Sequence, residues 1–321
     1  MHFSVSGVDV FPLIPPLIAV IVSSITASAG ISGAFLLLPF QVSVLHFNSP
    51  AVSPTNLIYN IIAIPGGLYR YIKEKRMAWA LTAIVSIGTL PGVFIGAWIR
   101  INYLINPKAF KLFVGIVLLY LGYRLVSDIL GWNKKVKKQN DIMNKKFAEQ
   151  VAHQKELNSS LIAAGLPAEA VVKTKCFSLS KVEYEFWGET YSFKTLSVFL
   201  LALGVGLIGG IYGIGGGSII TPVCVSVFAL PIYTVAGAAL ASTFITSLAG
   251  VIYYHILAVT SVSNSAIAPD WLLGLLFGLG GIIGTYLGAY LQKFLPETLV
   301  KIILLVLISF LTITYIFEFF L

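Results

Sequence analysis

Tyr212-Gly213-Ile214-Gly215-Gly216-Gly217-Ser218-Ile219-Ile220-Thr221-Pro222 interrupts a run, Thr195 to Pro269, that contains no Asp, Glu, Lys or Arg. Four glycines within five positions are poor helix interior, since each costs about 1 kcal/mol relative to Ala. Where an apolar run spans lipid, a broken backbone is tolerated only if protein or a water-filled cavity satisfies its polar groups. The stretch therefore reads as a helix break that lines something.

A weaker copy lies upstream. Ala29-Gly30-Ile31-Ser32-Gly33-Ala34-Phe35-Leu36-Leu37-Leu38-Pro39 aligns with it at a constant offset, Gly30 on Gly213, Gly33 on Gly216 and Pro39 on Pro222. Gly67 falls on Gly250 at the same offset, and Gly88, Gly92 and Gly96 correspond to Gly280, Gly284 and Gly288. The chain reads as a duplication: a first transmembrane repeat over 10–130, a polar basic linker over 131–194 and a second repeat over 195–321.

Composition sets the class. Hydrophobic residues make up 57% and charged residues 11% of the chain, against about 25% charged in a soluble domain. The expected fold is an all-α polytopic membrane protein of two pseudo-symmetric repeats, each a glycine-broken helical hairpin followed by three spanning helices. The first apolar segment has no basic stretch before it, so it is expected to remain in the mature protein. Cys176 and Cys224 are too few and too scattered for a disulfide framework. The net charge of +8 sits mainly in loops, which suits a bilayer surface and argues against nucleic acid.

The first broken segment runs from Phe11 to about His46, too long for one span of about 20 residues. Asn48-Ser49-Pro50 and Ser53-Pro54 read as a turn. Helices are predicted over Thr55–Tyr69, Ala78–Ile99 and Phe110–Ile129, with Arg100 to Lys108 as a loop. In the linker, a lysine-rich polar helix precedes an alternating stretch predicted to form a hairpin turning at Trp187–Glu189. Leu196–Tyr212 and Ser218–Leu230 flank the second break. Thr234–Tyr254, Trp271–Leu291 and Leu299–Phe320 are the remaining spans, with Ile256–Asp270 as a loop.

Basic residues orient the chain. The Arg70–Arg76 loop and the linker are two spans apart and share a side, taken as the cytoplasm of a cell-membrane protein. Their counterparts in the second half reverse this bias, since Ile256–Pro269 has no Lys or Arg, whereas Lys293 and Lys301 flank the opposite connection. Inverted repeats produce that swap if each broken segment enters and leaves on one face; parallel repeats are the alternative.

The candidate site is built on the breaks. Exposed backbone N–H groups and the positive end of a half-helix dipole attract an anion without side-chain charge, and two such ends could meet at mid-membrane. Gly30, Ser32 and Gly33 form one end, and Gly213, Gly215, Gly216, Gly217, Ser218 and Thr221 the other. Thr55, Asn56, Tyr59 and Asn60 share a face of the next helix, and Ser242, Thr243 and Thr246 a similar face in the second half. For the glycines the plain alternative is close helix packing; for the polar residues it is interhelical hydrogen bonding. Gly88-x-x-x-Gly92-x-x-x-Gly96 and its counterpart read as packing faces, inside the subunit or at a homodimer contact. No Lys follows the glycines as a P-loop requires. No carboxylate, nucleophile–base pair or metal-ligand cluster accompanies the breaks, so no enzyme, cofactor or metal is expected.

Gly213-Ile-Gly-Gly-Gly-Ser-Ile-Ile-Thr-Pro222, then Val235-Ala-Gly-Ala-Ala-Leu-Ala-Ser-Thr-Phe-Ile-Thr-Ser-Leu-Ala-Gly250, with Phe186-Trp-Gly-Glu-Thr-Tyr-Ser-Phe193 ahead of them, resemble the TauE/SafE sulfite exporter family. The resemblance extends over both halves; in the first copy Ser32 and Ala34 replace glycines. It implies secondary transport of a sulfur-containing anion such as sulfite, sulfoacetate, another organosulfonate or thiosulfate. An anion channel using the same site, or a membrane scaffold that transports nothing, are the competing readings.

Overall fold

The computed structural model describes residues 1–28, 31–73, 75–131, 171–217, 219–260, 266–291 and 297–320 of the chain. Its helices are α1 (Ile14–Ser28), α2 (Ala34–Ser43), α3 (Val52–Lys73), α4 (Trp79–Asn102) and α5 (Pro107–Leu130), then α6 (Thr195–Tyr212), α7 (Ile220–Phe228), α8 (Ile232–Thr260), α9 (Trp271–Leu291) and α10 (Glu297–Phe320). Among the described residues, α4, α5, α6, α8, α9 and α10 are long and apolar enough to cross a membrane. The protein is a multi-pass, mostly helical membrane protein.

Two kinds of contact hold the helices. The first is backbone on backbone at glycine. α4 lies along α6, with Gly88 against Phe199 and Ala202, Gly92 against Leu203 and Gly206, and Gly96 against Leu207 and Ile211. α9 lies along α1 in the same manner, Gly280 on Pro16, Gly284 on Val20 and Gly288 on Ser24. Residue numbers rise together in both pairs, so each pair is parallel. Without a side chain in the way, helix axes approach closely and gain dispersion contact, which is the main attraction available between helices in lipid. Both glycine faces are thus covered within the chain. A homodimer would have to use another surface, because these ridges have no room for a second copy.

The second kind ties connections together at two corners. At one, Asp270 accepts hydrogen bonds from the Ser6 backbone N–H at 3.2 Å and the Ser6 hydroxyl at 2.8 Å, and its own N–H donates to Thr55 Oγ1 at 2.8 Å. Its other carboxylate oxygen accepts from Leu273 N–H at 3.1 Å, capping α9. Ala51 N–H donates to Ala266 O beside it. At the other corner Val172 N–H donates to Lys75 O, and the hydroxyls of Tyr184 and Thr234 lie 2.9 Å apart. α3 joins the two corners; its 22 residues measure about 33 Å at roughly 1.5 Å per residue.

A three-stranded antiparallel sheet forms the second corner: β3 (Val172–Phe177), β4 (Lys181–Phe186) and β5 (Glu189–Lys194), with β4 central. The predicted hairpin is present. Trp187 and Gly188 both have positive φ, 53° and 75°, as a two-residue turn matched to strand twist requires. Val182, Tyr184 and Phe186 are buried and alternate with Glu183 and Glu185. The Tyr184 phenol, pushed well above its ordinary range by burial, hydrogen-bonds as a neutral group. β3 was not predicted; its face is solvent-exposed and carries no burial alternation. An N-terminal hairpin of β1 (His2–Phe3) and β2 (Val8–Asp9) was also unforeseen. The lysine-rich predicted helix of the linker lies outside the described residues.

Several boundaries differ from expectation. Ser53 and Pro54 stand in the first turn of α3, where a proline lacks no helical bond it would otherwise make. Arg100 and Asn102 belong to α4, and Pro107 and Lys108 open α5. Arg100 is fully buried because its guanidinium bonds the Leu104 carbonyl and lies 3.8 Å above the Phe110 ring. α8 continues to Thr260, into the stretch predicted as loop.

Candidate functional site

Each break is short. α6 ends at Tyr212 with Gly213 in the left-handed region (φ 81°), and Gly215 is left-handed too (φ 72°), so the chain reverses on residues that carry no Cβ penalty. The other half of the requirement is space. A Cβ on Gly213 would strike the Ser53 backbone, one on Gly215 would come within 2.7 Å of Thr243, one on Gly216 within 2.6 Å of Thr89, and one on Gly217 would strike the Ala239 carbonyl. Gly33 similarly abuts Ser23 and the Tyr59 hydroxyl. The glycines are therefore closely packed as well as sharply turned.

α3 holds the two breaks together. Asn56 Nδ2 donates to Ala34 O at 2.9 Å and to Gly213 O at 3.0 Å, while its Oδ1 accepts from Gln41 Nε2. Asn60 Nδ2 donates to Ile214 O at 3.1 Å, and its Oδ1 accepts from Ser32 Oγ at 2.8 Å. Tyr212 OH donates to Phe35 O at 3.0 Å, the two rings being stacked. Buried carbonyls freed by a helix break cost about 1–3 kcal/mol each if left unpaired, and these side chains satisfy them. Asn56, Asn60 and Ser32 are all buried. They brace the breaks.

In the second half, Gly216 N–H donates to Thr246 Oγ1 at 3.0 Å, and Thr243 Oγ1 turns back to Ala239 O in its own helix. Ser242 Oγ lies 3.0 Å from Thr89 Oγ1. Thr246 shares the predicted polar face of α8 with Ser242 and Thr243; Thr89 was not predicted, and nothing in the sequence pointed to it. Thr221 is buried in the first turn of α7. Gly30 and Ser218 lie outside the described residues.

A small cavity lies beside the first break and the first turn of α7. Ile31 and Phe35 line it from the first break and α2, Pro222 from α7, Leu121, Arg124 and Leu125 from α5, and Ile308 from α10. Phe35 and Pro222 are both in the first turn of a post-break helix, so the positive ends of two short dipoles border the cavity. Arg124 is half-buried and donates from Nη2 to Pro222 O at 2.8 Å. It is not among the predicted site residues, although ionisable residues inside membrane helices usually mark a path or site.

A family model described as Sulfite exporter TauE/SafE matches residues 16–315. The chain is 25% identical over 202 residues to the "Probable membrane transporter protein YunE" of Bacillus subtilis (strain 168), the match covering 63% of this chain and 60% of that relative. The chain thus matches less than two thirds of the relative's length. No solved structure matches. The chain belongs to the Sulfite exporter TauE/SafE family.

Proposed function

We propose that this protein is a secondary transporter that exports a sulfur-containing anion, such as sulfite, sulfoacetate or another organosulfonate, from a site between its two glycine breaks. The observation that carries the reading is the convergence of the breaks. Tyr212, Asn56 and Asn60 join break to break, and the first turns of α2 and α7 border a common cavity. Broken helices meeting inside the membrane serve transport rather than catalysis, since they offer dipoles and a pathway but no reacting group.

The two halves are read as inverted repeats, 10–130 and 195–321, flanking the linker 131–194. Helix pairing supports the two-fold relation of the halves. Exchanging the first five helices for the last five turns the α4–α6 contact into the α9–α1 contact and leaves α3–α8 and α5–α10 paired as before. The corners support it too. Both ends of the α1–α2 hairpin lie near Asp270, and both ends of the α6–α7 hairpin lie near the sheet. Reading the basic linker as cytoplasmic gives the sheet corner the cytoplasmic side of a plasma-membrane protein.

A thermal-shift screen of purified protein against sulfite, sulfoacetate, taurine, thiosulfate, sulfate and chloride tests the reading. Stabilisation by one or more sulfur oxyanions, with chloride inert, is expected. No response to any sulfur oxyanion would remove the site and favour a scaffold.

A further inference from the structure

We infer that Arg124 is the charge-recognising residue of the site and that the cavity beside it takes a monoanionic organosulfonate with a small apolar portion. This rests on the transport reading above and names its ligand class.

Three observations converge. Arg124 is the one cation lining a cavity whose other walls are Ile31, Phe35, Pro222 and aliphatic side chains of α5 and α10. Its one hydrogen-bond partner among the described residues is the Pro222 carbonyl, met by Nη2 alone. That bond fixes the guanidinium beside the second break while leaving the other N–H donors of the fork for two parallel bonds to a sulfonate. Third, three N–H groups at the breaks already have acceptors inside the chain. Ala34 N–H meets Ser32 Oγ, Ile214 N–H meets Gly209 O and Gly216 N–H meets Thr246 Oγ1. Those three groups are held by the chain itself, whereas the Arg124 guanidinium lines the cavity with a full charge.

The walls then set the ligand class. A methyl or methylene group would lie against Ile31, Phe35 and Ile308, whereas a fully hydrated inorganic dianion would lose water to apolar surface and keep one charge without a partner. Methanesulfonate is accordingly expected to bind more tightly than sulfate.

The test uses full-length purified protein and methanesulfonate as probe, with binding read by calorimetry. Arg124→Gln should weaken binding on the order of 10- to 100-fold, the scale of losing a charge-assisted pair, and Arg124→Lys should recover part of it. Because Arg124→Gln also loses the Pro222 bond, a second measurement leaves Arg124 intact. Ile31→Cys, in a Cys176→Ser background that removes the exposed native thiol, is alkylated with and without methanesulfonate. Marked slowing by the ligand is expected. Wild-type affinity in folded Arg124→Gln, or an alkylation rate at Ile31→Cys that saturating methanesulfonate leaves unchanged, would overturn the assignment while the transport reading stands. Sulfate binding as tightly as methanesulfonate would overturn the ligand class. Wild-type protein that binds neither methanesulfonate nor sulfite would overturn the transport reading together with it.

Discussion

Asn60 shows how one side chain can sustain a break. It supplies the donor for Ile214 O and the acceptor for Ser32 Oγ, both inside buried surroundings. Asn60→Ala should cost about 2–6 kcal/mol, two unpaired buried groups at about 1–3 kcal/mol each, seen as a lower unfolding temperature in detergent with weaker ligand stabilisation. Thr243→Ala should do far less to stability, because the Thr243 hydroxyl only turns back to Ala239 O, which keeps its place in α8. Equal losses in the two variants would contradict this division. Both residues were legible as polar positions on helices beside the breaks. Their difference was not, because the partner of Asn60 lies 154 residues away and no local pattern encodes that pairing. Arg124 was illegible for a related reason: sequence shows the charge but not the cavity that gives it a use.

Helices were readable wherever apolar length was decisive, and their ends were not. Pro54 looked like a turn because proline usually stops a helix, yet in a first turn it starts one. The sheet was half readable: β4 and β5 announce themselves by alternation around Trp187-Gly188, while exposed β3 has no face to bury and leaves no pattern. The glycine ridges make the sharpest prediction for elements. Gly92→Val would drive a branched side chain into the α6 backbone at Leu203 and Leu207, and overpacking of this kind typically costs at least about 1–3 kcal/mol. Loss of folded, monodisperse protein in size-exclusion chromatography is expected. Gly66→Ala in α3, where an added Cβ meets nothing within 4 Å, should be neutral or stabilising by up to about 1 kcal/mol. If both variants behaved alike, the α4–α6 contact would not be the backbone contact described.

On the scale of the molecule, the inverted-repeat proposal puts the two corners, about 33 Å apart at roughly 1.5 Å per residue of α3, on opposite sides of a bilayer. Native Cys176 in β3 is exposed at the sheet corner, and exposed Ser4 sits in the hairpin beside Asp270. A membrane-impermeant maleimide added to intact cells should label Ser4→Cys and leave Cys176 unlabelled until the cells are opened. Labelling of both from outside would contradict inverted repeats. The central claim, that the converging breaks carry an anion through alternating exposure, is tested most directly by counterflow. Proteoliposomes loaded with unlabelled methanesulfonate and diluted into a trace of radiolabelled methanesulfonate should accumulate label above its equilibrium level and then release it. Label that only equilibrates, with no overshoot, would mean a channel, and label that never enters would mean that the breaks carry no anion at all.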